Sequence, residues 1–422
     1  MARATLLTDD LVRRLIAVGQ VDVVVGLPTM NNAETIAGAL QAVHEGLSQH
    51  FARARTVVIA ADGGSRDGTP DIIGALPSGA RDRHGGLRTR HQIVAAYRGV
   101  PGRAGAIRLI FTAADLLQAR AVAVFDPDTD PLTPASIGGL LKPAGPDSFD
   151  LVAPVRARHP LERLLVTQLI RPLVRAAYGR QLDEPLLTEF ACSGRFAAHC
   201  LAEDVWDRSP MREGIELWLA ATALSGSFKA CQTCVETAAA APSQRPRPGL
   251  QEVFTPLVGS LFAALDAHAG AWQRDTAPEP VPVIGVEVPP PADPPAGAPS
   301  GLGGSFAQDV RDLRPVLESI LAPETFAAVA AIAEAAGAEG PSYPDEPWVA
   351  TVYDFVAGYH AGAIDRAHIV KALMPLYVGR VASFVTGHAA SPADEVARDL
   401  ETLAQQFERS KPYLIERWYR AS

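Results

Sequence analysis

The sequence predicts an α/β protein with a mainly parallel sheet, followed by a helical C-terminal region. Three observations predict it. Apolar runs rich in valine, isoleucine and alanine alternate with stretches of helical spacing, in the order strand, helix, strand, helix, strand. Three of those runs end directly in polar loops: LPTMNNAE, ADGGSRDGT and DPDTD. Beyond Phe306 the chain shows only the 3–4 apolar spacing of helices. Alternating strands and helices build a parallel sheet, whose ligands bind at the carboxyl ends of the strands.

Taken along the chain, Leu11 to Val18 reads as a short leading helix and Val21 to Val25 as the first strand. The segment AETIAGALQAVHEGL has helical apolar spacing. TVVIAAD is a second buried strand, and a helix starts at Asp71. AGAIRLIFTAADLLQA is helical, AVAVFD is a third strand and FDLVAPV, Phe149 to Val155, a fourth. A second part, from Arg158 to Trp272, begins with the long helix LERLLVTQLIRPLVRAAYG. FKACQTCVET alternates like a strand and places Cys231 and Cys234 on opposite faces. The Pro/Gly-dense stretch 273–305 reads as a linker or wrapping arm. The expected organisation is therefore 1–272, with halves at 20–155 and 156–272, then the linker, then 306–422. In WVATVYDFVAGYH, the aromatics Trp348, Tyr353, Phe355 and Tyr359 are expected to be core. This region is a candidate homodimer interface or lid.

Bulk properties exclude several classes. With 422 residues the chain is too long for one ordinary core. Its net charge of −9 argues against nucleic-acid or anionic-membrane binding. Four cysteines do not make a disulfide scaffold, and one CxxC without a second matching pair does not make a zinc site. Acids precede any apolar run at the N-terminus, so no signal peptide is expected. No membrane span is expected either, and the expected location is cytoplasmic.

The strand-end loops carry the chemistry. Asp62, followed by Gly63 and Gly64, has two readings: an acceptor for a base imide or ribose hydroxyl, or an Asp-Gly turn capping the next helix. Asn31 or Asn32 suits the cap of the helix that starts near Ala33. In DPDTD, carboxylates on alternate residues are hard ligands for Mg²⁺ or Mn²⁺, and a divalent ion there can stabilise a leaving diphosphate. The competing reading is a solvated acidic turn that caps the helix near Pro134.

In this order, strand–LPTMNNAET, strand–ADGGSRDGT and strand–DPD resemble the GT-A glycosyltransferases, which use a nucleotide-sugar donor and a DxD metal motif. Other segments narrow the resemblance to glucosyl-3-phosphoglycerate synthases and their glucosylglycerate and mannosylglycerate synthase relatives. GRAGAIRLIF resembles a segment with a Gly-Lys-Gly core, and TQLIRPLV a TELxxRPLL-like helix. SGRFAAH resembles a Gly-Gly-Glu-Tyr-Ala-Ala acceptor loop, and REGIELWL a Gly-Val-Glu-Ile segment. The match covers about residues 20–260.

The resemblance implies a GT-A, Rossmann-like fold and the following roles. Pro28, Asn31, Glu34 and Asp62 line a nucleoside pocket, with Ser65 beside it. Arg103 and Gly105 approach the diphosphate or sugar. Asp126 touches ribose or sugar and shares the Mg²⁺ or Mn²⁺ ion with Asp128. Thr167, Arg171, Ser193 and Gly194 face the acceptor, and Glu216 stands near the reacting sugar or serves as a capping, salt-bridging helix residue. Asp130 caps or shapes its loop. The implied reaction moves a hexose, with retention, from a nucleoside diphosphate to glycerate or 3-phosphoglycerate. Arg158, Arg163 and Arg171 offer charge for such an acidic acceptor. Two departures stand out. The third metal ligand of the relatives, a histidine, is replaced by TAAAAPSQRPRP, leaving Ser243, Gln244 or water to complete the shell, or Arg245 and Arg247 to stabilise charge. Gly-Lys-Gly is replaced by Gly-Arg-Ala-Gly. The alternatives are an inverting family-two transferase acting on a lipid phosphate or polysaccharide with Glu216 as base, and a non-catalytic nucleotide-sugar-binding scaffold.

Overall fold

The computed structural model describes residues 6–76, 90–97, 101–128, 132–235, 249–274, 279–286, 291, 304–337 and 340–421. They form two compact units. The first contains 1–156, 186–246 and 281–288, and the second 157–185, 247–280 and 289–422.

The first unit is built on a mixed, mostly parallel sheet of eight strands among the described residues. These are β1 (Val23–Thr29), β2 (Thr56–Asp62), β3 (Arg90–Ala96), β4 (Ala121–Val124), β5 (Leu151–Val155), β6 (Phe190–Ser193), β7 (Ala230–Cys234) and β8 (Val283–Ile284). Their order is β3-β2-β1-β4-β6-β5-β7-β8. Only β6 runs against its neighbours. The α/β, mainly parallel expectation holds. β8 comes from the stretch read as a linker and adds a parallel edge to β7.

Helices cover both faces of this sheet. The first is α1 (Asp9–Val18), with Thr8 accepting a capping hydrogen bond from the Leu11 N–H. Next come α2 (Ile36–His50), α3 (Thr69–Ala75), α4 (Arg103–Leu116) and α5 (Pro134–Leu141). On one face Val23, Val25 and Leu27 pack with Ile36, Leu40, Val43 and Leu47 of α2 and Ile137 and Leu140 of α5. The period-2 pattern of β1 thus meets the i, i+4, i+7 pattern of α2. On the other face α4 lies so close that a Cβ on Gly26 would sit 2.4 Å from Ile110 Cδ1. This glycine sets the distance between helix and sheet.

The second unit is helical. It holds a π-helical turn, Val166–Ile170, running into α6 (Arg171–Tyr178). Two helices of the first unit follow in the chain, α7 (Gly194–Ala202) and α8 (Ile215–Ser225). The second unit resumes with α9 (Leu250–Ala267) and α10 (Ala269–Trp272). Then come α11 (Phe306–Asp312), α12 (Arg314–Ile320), α13 (Pro323–Ala335), α14 (Asp345–Ala361), α15 (Arg366–Gly387), α16 (Ala393–Arg409) and α17 (Lys411–Ala421). Trp348, Tyr353, Phe355 and Tyr359 of α14 are core residues, as expected. Phe254 meets Tyr377 at 5.1 Å between ring centroids, and Phe262 meets Tyr359 at 5.6 Å.

The division differs from the expected one at 272 and 306. Residues 157–185 and 247–280 belong with the C-terminal helices. The reason is packing: α6 lies against α16, and Arg175 pairs with Glu401 at 2.8 Å and Glu408 at 3.0 Å. The expectation that no stretch could span a membrane also needs correction. By length and composition α15 passes that test, with 61% of its apolar window buried inside the fold.

Candidate functional site

Strand register decides what meets at the carboxyl end of the sheet. Thr29 of β1 pairs with Asp62 of β2, and Gly26 with Val124 of β4. β4 ends earlier, and Phe125 continues its path with its N–H on the Gly26 carbonyl at 3.0 Å. Asp126 to Asp128 therefore run beside the end of β1, next to the other two loops.

The first two loops are knitted together. The Asp62 carboxylate accepts from Thr29 Oγ1 (3.2 Å), Gly64 N–H (3.0 Å), Ser65 N–H (3.0 Å) and Ser65 Oγ (2.5 Å). Four donors fill the four acceptor positions of a carboxylate. These bonds shape the loop that follows β2. Asn31 adopts φ 58°, a left-handed conformation that asparagine tolerates. Its N–H donates to Ser65 Oγ at 2.9 Å and its Oδ1 accepts from Arg66 N–H at 2.8 Å. Asn32 is buried and accepts from the Met30 N–H at 2.6 Å. Thr69, with help from the Ala33 N–H, holds the Asp67 carboxyl below its ordinary range. Glu34 is exposed in the turn before α2.

The third loop carries the charge. Arg103, at the first position of α4, donates to Asp126 Oδ2 at 2.9 Å and contacts Glu216 through its Nε. It also reaches the Thr188 carbonyl. Asp126 Oδ1 accepts from the Asp128 N–H at 2.9 Å, and Asp128 Oδ1 accepts from Thr35 Oγ1 at 2.6 Å. Arg103, Asp126 and Glu216, each singled out separately from sequence, thus form one network. Glu216 is buried at the start of α8 and pairs with Arg103 there. Arg103, Asp126 and Asp128 border a cavity of ≈ 190 Å³, lined also by Pro28, Met30 and Tyr97. Gly105 lies in the first turn of α4, one residue before Ala106 of the lining.

Tyr97 was missed. Its hydroxyl donates to the Gly102 carbonyl and accepts from the Gly102 N–H, both at 2.9 Å. Burial raises its pKa, and Asp62 adds to the effect. The available signal was its place directly after IVAA, the core of a strand not recognised in the sequence. Thr35 and the buried pair Arg156–Glu189 were also missed.

Ser193 and Gly194 require a correction. β6 runs antiparallel to β4, and Ser193 pairs with Ala121 at the opposite end of the sheet from Asp126. Ser193 is fully buried, donates to Asp150 Oδ1 at 2.8 Å and caps α7 by accepting from the Phe196 N–H at 3.1 Å. A Cβ on Gly194 would lie 2.1 Å from the Ala119 carbonyl oxygen. Both residues are structural.

Thr167 and Arg171 lie in the second unit, Thr167 in the π-helical turn. Arg171 is 3.6 Å from Asp183, Arg158 is 3.6 Å from both Glu162 and Glu184, and Arg163 pairs with Glu184. Each arginine offered as acceptor charge already faces an acid. Asp130, Ser243, Gln244, Arg245 and Arg247 lie outside the described residues. Among the described residues no cluster of three or more His, Cys, Asp or Glu could hold a metal.

No family model matches the chain, and no curated protein matches it. Among solved structures the finding is different. The chain is similar to glucosyl-3-phosphoglycerate synthase. A Mycobacterium tuberculosis structure of that enzyme, in complex with Mn²⁺, uridine diphosphate and phosphoglyceric acid, shares 20% identity over 63% of this chain and 83% of that one, with a TM-score of 0.41. A second, with Mg²⁺ and uridine diphosphate, shares 21% over 66% and 94%, also at 0.41. Mannosyl-3-phosphoglycerate synthase from Rubrobacter xylanophilus shares 19% over 64% and 81%, at 0.38.

Proposed function

We propose that the protein is a metal-dependent, retaining glycosyltransferase that moves a hexose from a nucleoside-diphosphate sugar to a small acidic acceptor such as glycerate or 3-phosphoglycerate. The observation that carries this reading is the ion-pair network of Arg103 with Asp126 and Glu216, beside a cavity bordered by Arg103, Asp126 and Asp128. One guanidinium against three carboxylates leaves these four side chains net negative. A diphosphate does not enter such a place without a cation of its own.

The donor chemistry fits a divalent ion. Asp126 and Asp128 offer hard oxygens, and Mg²⁺ is commonly held by one or two carboxylates, completing its shell with water and substrate phosphate. When bound, the ion supplies charge stabilisation to the leaving diphosphate. Asp128, at the exposed lip, is the principal ligand, while Asp126 divides its oxygens between Arg103 and the Asp128 N–H. Arg103 then stands beside the site where negative charge grows on the leaving group, and its fork suits phosphate. Pro28 and Tyr97 wall the same cavity, and in this reading the nucleoside lies against them. Glu216 is in contact with the Arg103 guanidinium, so its side chain is already engaged within the fold, which favours the retaining reading over the inverting one.

The test is turnover with UDP-glucose, GDP-glucose and GDP-mannose, each with Mg²⁺ or Mn²⁺, and with D-glycerate or 3-phosphoglycerate as acceptor. Released nucleotide and the product anomer are read by NMR. An α-glycoside formed only with metal is the expected result. Absence of both nucleotide binding and release removes the reading.

A further inference from the structure

The helix that delivers Arg103 begins without a side-chain cap. Gly102, at the N-cap of α4, has no side chain to accept from the first amides of the helix. Its φ of 148° is also one that residues other than glycine rarely adopt. The start of α4 is held instead by Tyr97, which lies just past the end of β3. The Tyr97 hydroxyl donates to the Gly102 carbonyl and accepts from the Gly102 N–H, both at 2.9 Å. That same carbonyl accepts from the Ala106 N–H at 3.2 Å, the bond that closes the first turn of α4. Burial raises the Tyr97 pKa and Asp62 adds to it, so the phenol keeps its proton at neutral pH and can donate.

Room for this hydroxyl is built into the neighbouring loop. A Cβ on Gly63 would lie 3.1 Å from Tyr97 Oη and 3.0 Å from Met30 Sδ. The glycine after Asp62 therefore lets the phenol reach Gly102. Tyr97, Met30, Gly102 and Arg103 all line the cavity described above, and all belong to the first unit. Arg103 has little tolerance for displacement. Its nitrogens reach Asp126 Oδ2 at 2.9 Å, the Glu216 carboxylate and the Thr188 carbonyl, groups on separate segments of the chain. A shift of the first turn of α4 moves the guanidinium against all of them at once. A planar fork cannot follow such a shift as a point charge could.

We propose that Tyr97 is a positioning residue for Arg103: by clasping Gly102 it sets the start of α4, and with it the place from which the guanidinium meets the leaving diphosphate. The inference deepens the proposed function and rests on it for the nature of the ligand. The clasp itself does not.

Tyr97→Phe removes the hydroxyl and keeps the ring. Hydrogen exchange over 101–106 is measured first, at fixed pH, and should be faster than in wild type. Unchanged exchange overturns the proposal whatever the activity. Steady-state kinetics follow, with UDP-glucose, GDP-glucose and GDP-mannose as donors and Mg²⁺ present. On the donor that wild type uses, kcat should fall about 10- to 100-fold, the scale of a small misplacement, while the acceptor KM stays at the wild-type value. A phenol with a purely structural role would lower the melting temperature and leave kcat of the folded enzyme unchanged, and that result overturns the proposal. A double-mutant cycle with Arg103→Lys asks whether the effect runs through the guanidinium. Tyr97→Phe should lower kcat far less in the Arg103→Lys background than in wild type, and an equal loss in both overturns the proposal. If Tyr97→Phe does not fold, Gly63→Ala, which crowds the same hydroxyl, is judged by the same criteria. A wild type that neither binds nor releases any of these nucleotides removes the functional reading and the role of Tyr97 with it. An active wild type beside an unaffected Tyr97→Phe removes that role alone.

Discussion

Asp128 and Asp126 are two residues apart and hold different positions. Asp128 is exposed and touches the fold through Thr35, whereas Asp126 is half-buried and tied to Arg103. The variant Asp128→Ala should therefore lose turnover by at least about 100-fold, the scale for removing one charge-stabilising group. Its stability should change by no more than about 0.5 kcal/mol, as for other exposed positions. A turnover assay beside a thermal melt checks both, and wild-type activity would end the metal reading. At this scale the sequence was informative about residue types and less so about partners. DPD after an apolar strand marked the carboxylates, and Arg103 and Glu216 stood out by resemblance. That Asp126 and Glu216 share one guanidinium depends on α4, β4 and α8 converging, which no local pattern encodes. Asp62 shows the same limit: a strand-end aspartate before two glycines was legible, but the four donors that meet its carboxylate come into view only in the fold.

Elements, rather than residues, explain where Ser193 and Gly194 lie. β6 is antiparallel to β4, so Ser193 at its end meets Ala121 at the start of β4, away from Asp126. Gly194→Ala separates this structural role from the expected acceptor role. A Cβ against the Ala119 carbonyl should destabilise the protein by about 1–3 kcal/mol, the range for overpacking, without altering acceptor KM in the folded fraction. Denaturant melts and KM values test this. At the same end of the sheet, Asp150 ties three elements by accepting from Ser193 Oγ, Arg195 Nε and the Lys229 N–H. Burial alone would raise its pKa, but Arg195, Lys229 and Ser193 outweigh burial and hold it below the ordinary 3.8. A depressed folded pKa gives stability that is complete above the unfolded value and lost as pH falls through the folded one. Asp150→Asn should thus be less stable than wild type at neutral pH, and the difference should shrink below about pH 4. Melts across that range would show it, and a constant difference would refute it. β3 escaped the sequence reading for a physical reason. It is an edge strand with one neighbour, and Arg90, His91 and Gln92 at its head conceal the short apolar run that follows.

For the whole molecule, composition indicated helices after 306 but not what they are for. Their apolar faces cover α6 and α9, so the second unit is assembled from three separated stretches of chain. Removing 306–422 should leave α6 and α9 without a core. Such a chain is expected to be aggregated or molten, with α6 amides unprotected in hydrogen exchange, while a protected α6 would show that 157–185 belongs with the sheet. The sequence could not reveal this, because amphipathic helices show that they need a partner without naming it.

The pairing of Arg175 with Glu401 joins positions 226 residues apart. On the ribosome that separation becomes time. α6 emerges early with an apolar face whose cover is not yet translated, and a waiting hydrophobic surface is where nascent chains go astray. Stalled chains that stop before α16 should stay open to protease over 157–185, and chains released at full length should close that window. The stretch from Ala393 onward thus governs whether the middle of the protein survives its own synthesis.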